Sequence, residues 1–324
     1  MAKNKTDYAY AVARIRSKEL KLLSASFLEQ LLSASDCESC LKLLAERGWG
    51  NGSGETPEEM LSTEENRIWE LMEDLVKDTS VFHVFLYKND YHNLKAAIKE
   101  LHHRNGFPGI YLEHGTISPQ VIRKAVSENR FSDLPEAMQA PAREAYTALL
   151  HTHDGQLCDV ILDRAALEAT YQAGKVSGNE FLALYGELTV AAADLKTAFR
   201  SCRTGKSREF LTRALVPCDT LKLPELTQAA MEGTEAIGKY LENTPYREAA
   251  DELKRSPSAF EKWCDNLLIR KIRPQLHEPF GLGPLAAYIL ARENEIKSVR
   301  IILFGKRNQL SEESIRERVR ETYV

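Results

Sequence analysis

Six cysteines, eight histidines and 47 carboxylates are the groups that could do chemistry in this 324-residue chain, and their spacing decides whether they do. Cys37-Glu-Ser-Cys40 has the spacing of a redox pair or of half a zinc site. Zinc needs two further ligands at compatible spacing, but Cys158, Cys202, Cys218 and Cys264 stand alone, and no βαβ pattern surrounds the pair. Glu100-Leu-His102-His103 supplies one Glu-x-x-His motif where a di-iron helical bundle needs two, and His151-Thr-His153-Asp154 has no partner motif. Gly205-Lys206-Ser207 resembles the end of a phosphate-binding loop, but position 200 is arginine where that loop needs glycine, and a helix precedes it where a strand is required. Gly48-Trp-Gly-Asn-Gly-Ser-Gly54 also follows a helix and reads as a flexible loop, not a dinucleotide site. Neither a Gly-x-Ser-x-Gly elbow nor an Asp-Asp-x-x-Asp motif occurs. The expected catalytic, cofactor-binding and metal-ligating residues are therefore none.

The elements that carry these residues are helices. Apolar residues three and four apart run through Arg14–Leu23 and Phe27–Leu32. Thr56-Pro-Glu-Glu, Ser118-Pro119, Leu223-Pro224-Glu225 and Ser311-Glu-Glu each read as a helix start. Ser80–Tyr87 is rich in β-formers, yet it runs without a breaker into a helical pattern and reads as the front of a long buried helix. The expected fold class is all-α.

Composition excludes several roles. The chain is 43% hydrophobic and 28% charged, with a net charge of −4, which argues against coating a nucleic acid. The longest stretch without a charged residue is Pro279–Ala291, short of the about 20 residues that a spanning helix needs. Arg14 and Arg16 interrupt the apolar start, so no signal peptide is expected, and six cysteines in a chain of this length without an export signal fit a reducing compartment. Between Glu55 and Asp74 eight acids face only Arg67, which reads as an exposed helix face. The basic amino-terminal stretch, with Lys3, Lys5, Arg14, Arg16, Lys18 and Lys21, reads as a solvated face that could meet an acidic partner.

A short kernel recurs: Asn93-Leu94-Lys95, Asp194-Leu195-Lys196 and Glu295-Ile296-Lys297, the lysines spaced 101 residues apart in both intervals. Each kernel precedes a glycine placed to end its helix (Gly106, Gly205, Gly305). An apolar pair then follows (Ile117/Ile122, Leu221/Leu226, Leu310/Ile315), with Val126, Ala230 or Val319 four residues later, so each pair should open another amphipathic helix. The period is too long for a helical solenoid repeat, so the expected organisation is one all-helical body, 1–324, built from a small bundle used three times: roughly 80–180, 181–281, and 282–324 completed by 1–79.

The segment Pro284–Arg307, with Leu310-Ser-Glu-Glu-Ser-Ile-Arg-Glu-Arg-Val-Arg320, is the most distinctive text in the chain. With Tyr8-Ala-Tyr-Ala-Val-Ala-Arg-Ile-Arg16 and Tyr91-His-Asn-Leu-Lys95, it resembles the C subunit of the rotary V-type/A-type ATPases, the prokaryotic counterpart of the eukaryotic V-ATPase d subunit. The likeness spans essentially the whole chain; the Gly-rich stretch 48–54 and the turn Thr204–Arg208 depart from it. The resemblance implies an all-helical, funnel-shaped protein of three pseudo-threefold-related bundles. It implies a non-catalytic part of the central stalk, cytoplasmic and peripheral on the membrane, that links the rotor shaft to the cytoplasmic face of the proteolipid ring. Its partners would be shaft subunits and ring, with no nucleic acid and no membrane span, and it would pass torque between ATP hydrolysis or synthesis and proton or sodium transport. Lys95, Lys196 and Lys297 read most simply as solvent-facing lysines beside a core leucine or isoleucine; their equivalent positions also make them candidate shaft contacts. A helical scaffold binding other proteins through a concave surface, and a helical enzyme with an unrecognised site, are the alternatives.

Overall fold

Capping side chains and apolar spacing set the helices one after another. The computed structural model describes residues 8–52, 54–102 and 109–324. Helix α1 (Ala9–Glu19) buries Ala11, Val12 and Ile15 but stops four residues short of the expected end at Leu23. The N–H groups of Lys21 and Leu22 turn back to the carbonyls of Lys18 and Glu19, at 2.9 and 3.1 Å, and that of Leu23 leaves the helix for the Glu295 carboxylate. Helices α2 (Ala25–Ser33) and α3 (Cys37–Glu46) begin on Ser24 and Asp36, whose side chains accept from the N–H groups of Phe27 and Ser39. A complete capping box starts α4 (Pro57–Leu75): Thr56 accepts from the Glu59 N–H and the Glu59 carboxylate accepts from the Thr56 N–H.

The β-forming stretch after it is helical. A 3-10 turn over Thr79–Phe82 leads into α5 (His83–His102), and Val84, Phe85 and Leu86 are buried. Then come α6 (Pro119–Ser127), α7 (Glu136–Thr152), α8 (Gly155–Val176), α9 (Glu180–Thr204), α10 (Arg208–Ala214), α11 (Leu223–Glu232), α12 (Thr234–Glu242), α13 (Ala249–Arg255), α14 (Pro257–Ile272), α15 (Gly283–Arg307) and α16 (Glu312–Arg316). No strand occurs among the described residues, so the chain is all-α.

Of the three glycines expected to end kernel helices, Gly106 lies outside the described residues. Gly205 ends α9 in the left-handed region, at φ 64°. Gly305 does not end α15, which runs on to Arg307. Its lack of a side chain serves packing instead, since a Cβ there would sit 2.6 Å from the Ile315 side chain. The third apolar pair also differs from the other two. Ile122 and Leu226 are buried inside α6 and α11, and Ile315 is buried in α16, but Leu310 is 43% exposed and Val319 lies beyond the end of α16.

The chain divides into two compact units, one of residues 1–79 with 252–324, the other of residues 80–251. In the first, α15 is the axis, buried continuously from Gly283 to Arg292, with α4, α1, α3 and α14 laid against it. In the second, α8 is the axis, packed by α5, α7 and α9 around Leu94, Ile98, Phe131, Met138, Leu149 and Leu162. The Phe85 and Tyr185 rings meet edge to face at 4.7 Å and tie α5 to α9.

Helices α8 and α9 form a hairpin so close that glycine is required at its crossing. A Cβ on Gly174 would lie 2.6 Å from the Leu182 carbonyl oxygen, a backbone atom that cannot swing away. Gly238, inside α12, meets only the Ala250 methyl, at 4.0 Å. Gly→Ala inside a helix is ordinarily stabilising by up to about 1 kcal/mol. We therefore predict opposite signs in urea unfolding: Gly238→Ala raises the midpoint, whereas Gly174→Ala lowers stability by about 1–3 kcal/mol through overpacking.

Candidate functional site

The motifs with chemical spacing are structural joints. Gly205 closes α9, the Ser207 hydroxyl caps α10 by accepting from the Phe210 N–H at 3.2 Å, and Lys206 Nζ donates to Gln156 Oε1 at 2.7 Å. Cys40 is buried at the α2–α3 corner with its S–H on the Leu31 carbonyl, and burial pushes its thiol up to about 11. All six cysteines are free. His153 ends α7 in the left-handed region, while Asp154 caps α8 by accepting from the N–H groups of Gln156 and Leu157. Glu100 is taken up by the Tyr111 hydroxyl and by Arg123; its expected partner His103 lies outside the described residues. Among the described residues no group of three or more His, Cys, Asp or Glu is placed to hold a metal ion. The Gly-rich loop is anchored: Arg67 donates to the Gly48 and Gly50 carbonyls, and the Gly50 and Asn51 N–H groups donate to Glu64 and Glu55.

The repeated kernel carries more structure than the lysines alone indicated. Its first residue is a polar side chain sealed inside a long helix each time: Asn93 is 0% exposed, Asp194 1% and Glu295 6%. Each accepts a backbone N–H from an irregular segment packed on that helix. Asn93 Oδ1 accepts from the Leu112 N–H at 2.8 Å, and its Nδ2 donates back to the Leu112 carbonyl, also at 2.8 Å. Asp194 accepts from the Val216 N–H at 3.0 Å, and Glu295 from that of Leu23. Further buried carboxylates reinforce two of these clamps. Asp90 on α5 accepts from the Thr116 N–H and hydroxyl, and Glu187 on α9 accepts from the N–H groups of Asp219 and Thr220.

The lysines follow buried Leu94, Leu195 and Ile296 and divide by environment. Lys95 pairs with Asp163 at 2.6 Å beside Asp159, while Lys297 pairs with Asp265 at 2.5 Å. Burial would raise the Asp265 carboxyl, but the Lys297 and Arg320 cations beside it hold it below its usual value. Lys196 is partly exposed and has no ion-pair or hydrogen-bond partner among the described residues.

The acidic face of α4 is not wholly solvated. Glu58 and Glu65 pair with Arg307 and Arg300 of α15, each at 2.7 Å, and Glu64 is buried. There a chain of alternating charge runs Arg67–Glu64–Arg292–Glu295, with the Arg292 guanidinium 4.9 Å from the centre of the Trp49 ring. The basic amino-terminal stretch is also partly engaged, Arg14 with Asp74 at 3.5 Å and Arg16 with Glu19 and the carbonyls of Gln275 and Glu278; Lys3 and Lys5 lie outside the described residues.

A sequence profile of the ATP synthase (C/AC39) subunit family matches residues 11–318. The chain is 23% identical to the V-type sodium ATPase C subunit of Enterococcus hirae, the alignment covering 95% of this chain and 97% of that protein. It is 26% identical to the V-type ATP synthase C subunit of Thermus thermophilus, over 93% and 94% of the two chains. With the A-type ATP synthase C subunit of Methanocaldococcus jannaschii it shares 27% identity, over 95% and 85%.

Asp194 has one backbone donor for a fully buried carboxylate, and burial pushes its acid up to about 7 from 3.8. A folded-state value above the unfolded one means that the native state holds the extra proton between those limits, so its stabilising effect is complete below about pH 4 and is lost as pH rises through 7. The difference corresponds to roughly 4 kcal/mol. We predict that Asp194→Asn, which installs the amide found at position 93, flattens the pH dependence of urea unfolding between pH 4 and 7 and raises the midpoint at pH 8.

Proposed function

The chain belongs to the C/AC39 subunit family of ATP synthases, and from that membership we propose that it is the non-catalytic central-stalk component of a rotary V/A-type ATPase, seated between the rotor shaft and the cytoplasmic face of the proteolipid ring. The observation that carries this reading is the extent of the match, residues 11–318 of the chain and nearly the full length of relatives named as the C subunits of a V-type sodium ATPase and a V-type ATP synthase. Such a part passes rotation between ATP chemistry elsewhere in the complex and proton or sodium movement through the ring. No described helix is long and apolar enough to cross a membrane, which is compatible with a peripheral position on the complex.

A torque-bearing part must resist shear, and close-packed helices held by buried polar clamps supply that stiffness. The three polar anchors at 101-residue spacing support a body of three related bundles, roughly 80–180, 181–281, and 282–324 completed by 1–79, arranged as a funnel around a pseudo-threefold axis. Lys95, Lys196 and Lys297 then occupy equivalent positions and are the proposed contacts to the shaft. Lys196, whose ammonium has no partner among the described residues, is the one most available to a carboxylate on a neighbour.

The reading is tested by tagging the chain in its native host and purifying it from gently solubilised membranes. Head, shaft and proteolipid subunits are expected to co-purify in fixed ratio. A chain recovered alone, or with partners unrelated to the ATPase, would return it to the class of general helical scaffolds.

A further inference from the structure

The α9–α10 corner, in the unit of residues 80–251, concentrates positive charge. Between positions 196 and 213 stand Lys196, Arg200, Arg203, Lys206, Arg208 and Arg213 against one acid, Glu209, a local charge of +5 in a chain whose net charge is −4. Lys196, Arg200 and Arg203 are spaced four and three residues apart, so they lie on one face of α9, and Arg200 and Arg203 are exposed. Gly205 turns the chain so that the basic run continues onto α10.

The second observation is how these cations are left. Several arginines elsewhere find carboxylates, as Arg123, Arg300, Arg307 and Arg316 do with Glu100, Glu65, Glu58 and Glu29. At this corner the partners are neutral. Arg203 lies 5.7 Å from the centre of the Phe199 ring, Lys206 reaches Gln156 and the Phe210 ring, and Arg208 donates to Gln228. Among the described residues no carboxylate stands within ion-pair distance of any of the six. These contacts hold Arg203, Lys206 and Arg208 while leaving their charge without a carboxylate partner.

We propose that this corner is a docking surface for an acidic protein face, a row of carboxylates presented by a neighbouring subunit of the rotary complex. Four arginines among the six cations favour carboxylates met two oxygens at a time, because the guanidinium fork matches that geometry. A continuous polyanion is a poorer fit. Membranes and nucleic acids present charge over areas far wider than the about 8 Å screening length, and the rest of the chain, with an excess of acids, repels them. The docking rests on the rotary-complex reading above and adds to it the surface and the chemistry of its partner.

The test compares the full-length chain with its Lys196→Glu/Arg200→Glu/Arg203→Glu variant for binding to the purified shaft subunits and, separately, to the purified ring of its own complex, at low and high salt. Arg200→Lys/Arg203→Lys serves as a charge-keeping control, and unfolding curves verify that all three proteins fold alike. The expected result is that the reversal variant binds one of the two partners at least about 10-fold more weakly at low salt, that high salt narrows the gap, and that the control, which keeps the charge but loses the fork, is weakened less than the reversal variant. Equal binding of parent and reversal variant to both partners overturns the proposal. It is also overturned if the substitutions abolish binding only to vesicles of phosphatidylcholine and phosphatidylserine. A parent chain that binds neither shaft nor ring fails at the level of the rotary-complex reading itself, a result distinct from either of these.

Discussion

Arg292 is the residue on which the unit formed by the chain's two ends depends. Its guanidinium lies inside the protein between Glu64 from the amino-terminal part and Glu295 from its own helix, and Glu295 in turn holds the Leu23 N–H. Two segments separated by more than two hundred residues are thereby joined through one cation. A buried ion pair of this kind contributes little net stability against an apolar packing of equal volume. Taking away one member leaves a stranded charge, at a cost of about 3–5 kcal/mol. The arrangement therefore selects one way of closing the unit more than it adds to its stability. Arg67 and Trp49 extend the same constraint into the Gly-rich loop, where Arg67 holds the carbonyls of Gly48 and Gly50, both at positive φ.

The same constraint appears in different chemical form at the other two kernels. A long helix packed on several sides has to receive an irregular segment whose backbone N–H groups would otherwise be buried without partners. Asparagine at 93 meets the need with an amide that both accepts and donates; aspartate at 194 does it with a carboxylate driven towards its neutral form; glutamate at 295 is paired with an arginine that it shares with Glu64. These are three answers to one packing problem, with different electrostatic consequences.

Much of this was legible in the residues. The all-helical class and the helix starts at Thr56, Ser118, Leu223 and Ser311 follow from spacing and local text, and the family from the resemblance of the carboxy-terminal segment. Helix ends were harder to read, because they depend on distant partners. Glu295 draws Leu23 off the end of α1, and Ile315 needs the bare backbone of Gly305 in mid-helix. The buried anchors were hidden by their polarity, since Glu64 reads as one of eight acids on an open face until Arg292 is found against it. A signal for them did exist: Asp194 falls in register with Val190, Ala191, Leu195 and Ala198, a polar residue inside an otherwise apolar stripe. The unpaired state of the basic corner could not be read from sequence at all, since it depends on where carboxylates from other helices fall.

In the proposed role these features serve transmission. Polar clamps fix how each irregular segment sits on its helix, and the resulting rigidity is what a part under torque requires, while ATP chemistry is left to other subunits. The most direct measurement of that division is on the whole complex, purified with and without this chain, with ATP hydrolysis and ion transport into sealed vesicles followed side by side. The account predicts that hydrolysis persists without the chain while transport is lost. Loss of hydrolysis in an otherwise intact head, or transport undiminished in the chain's absence, would contradict it.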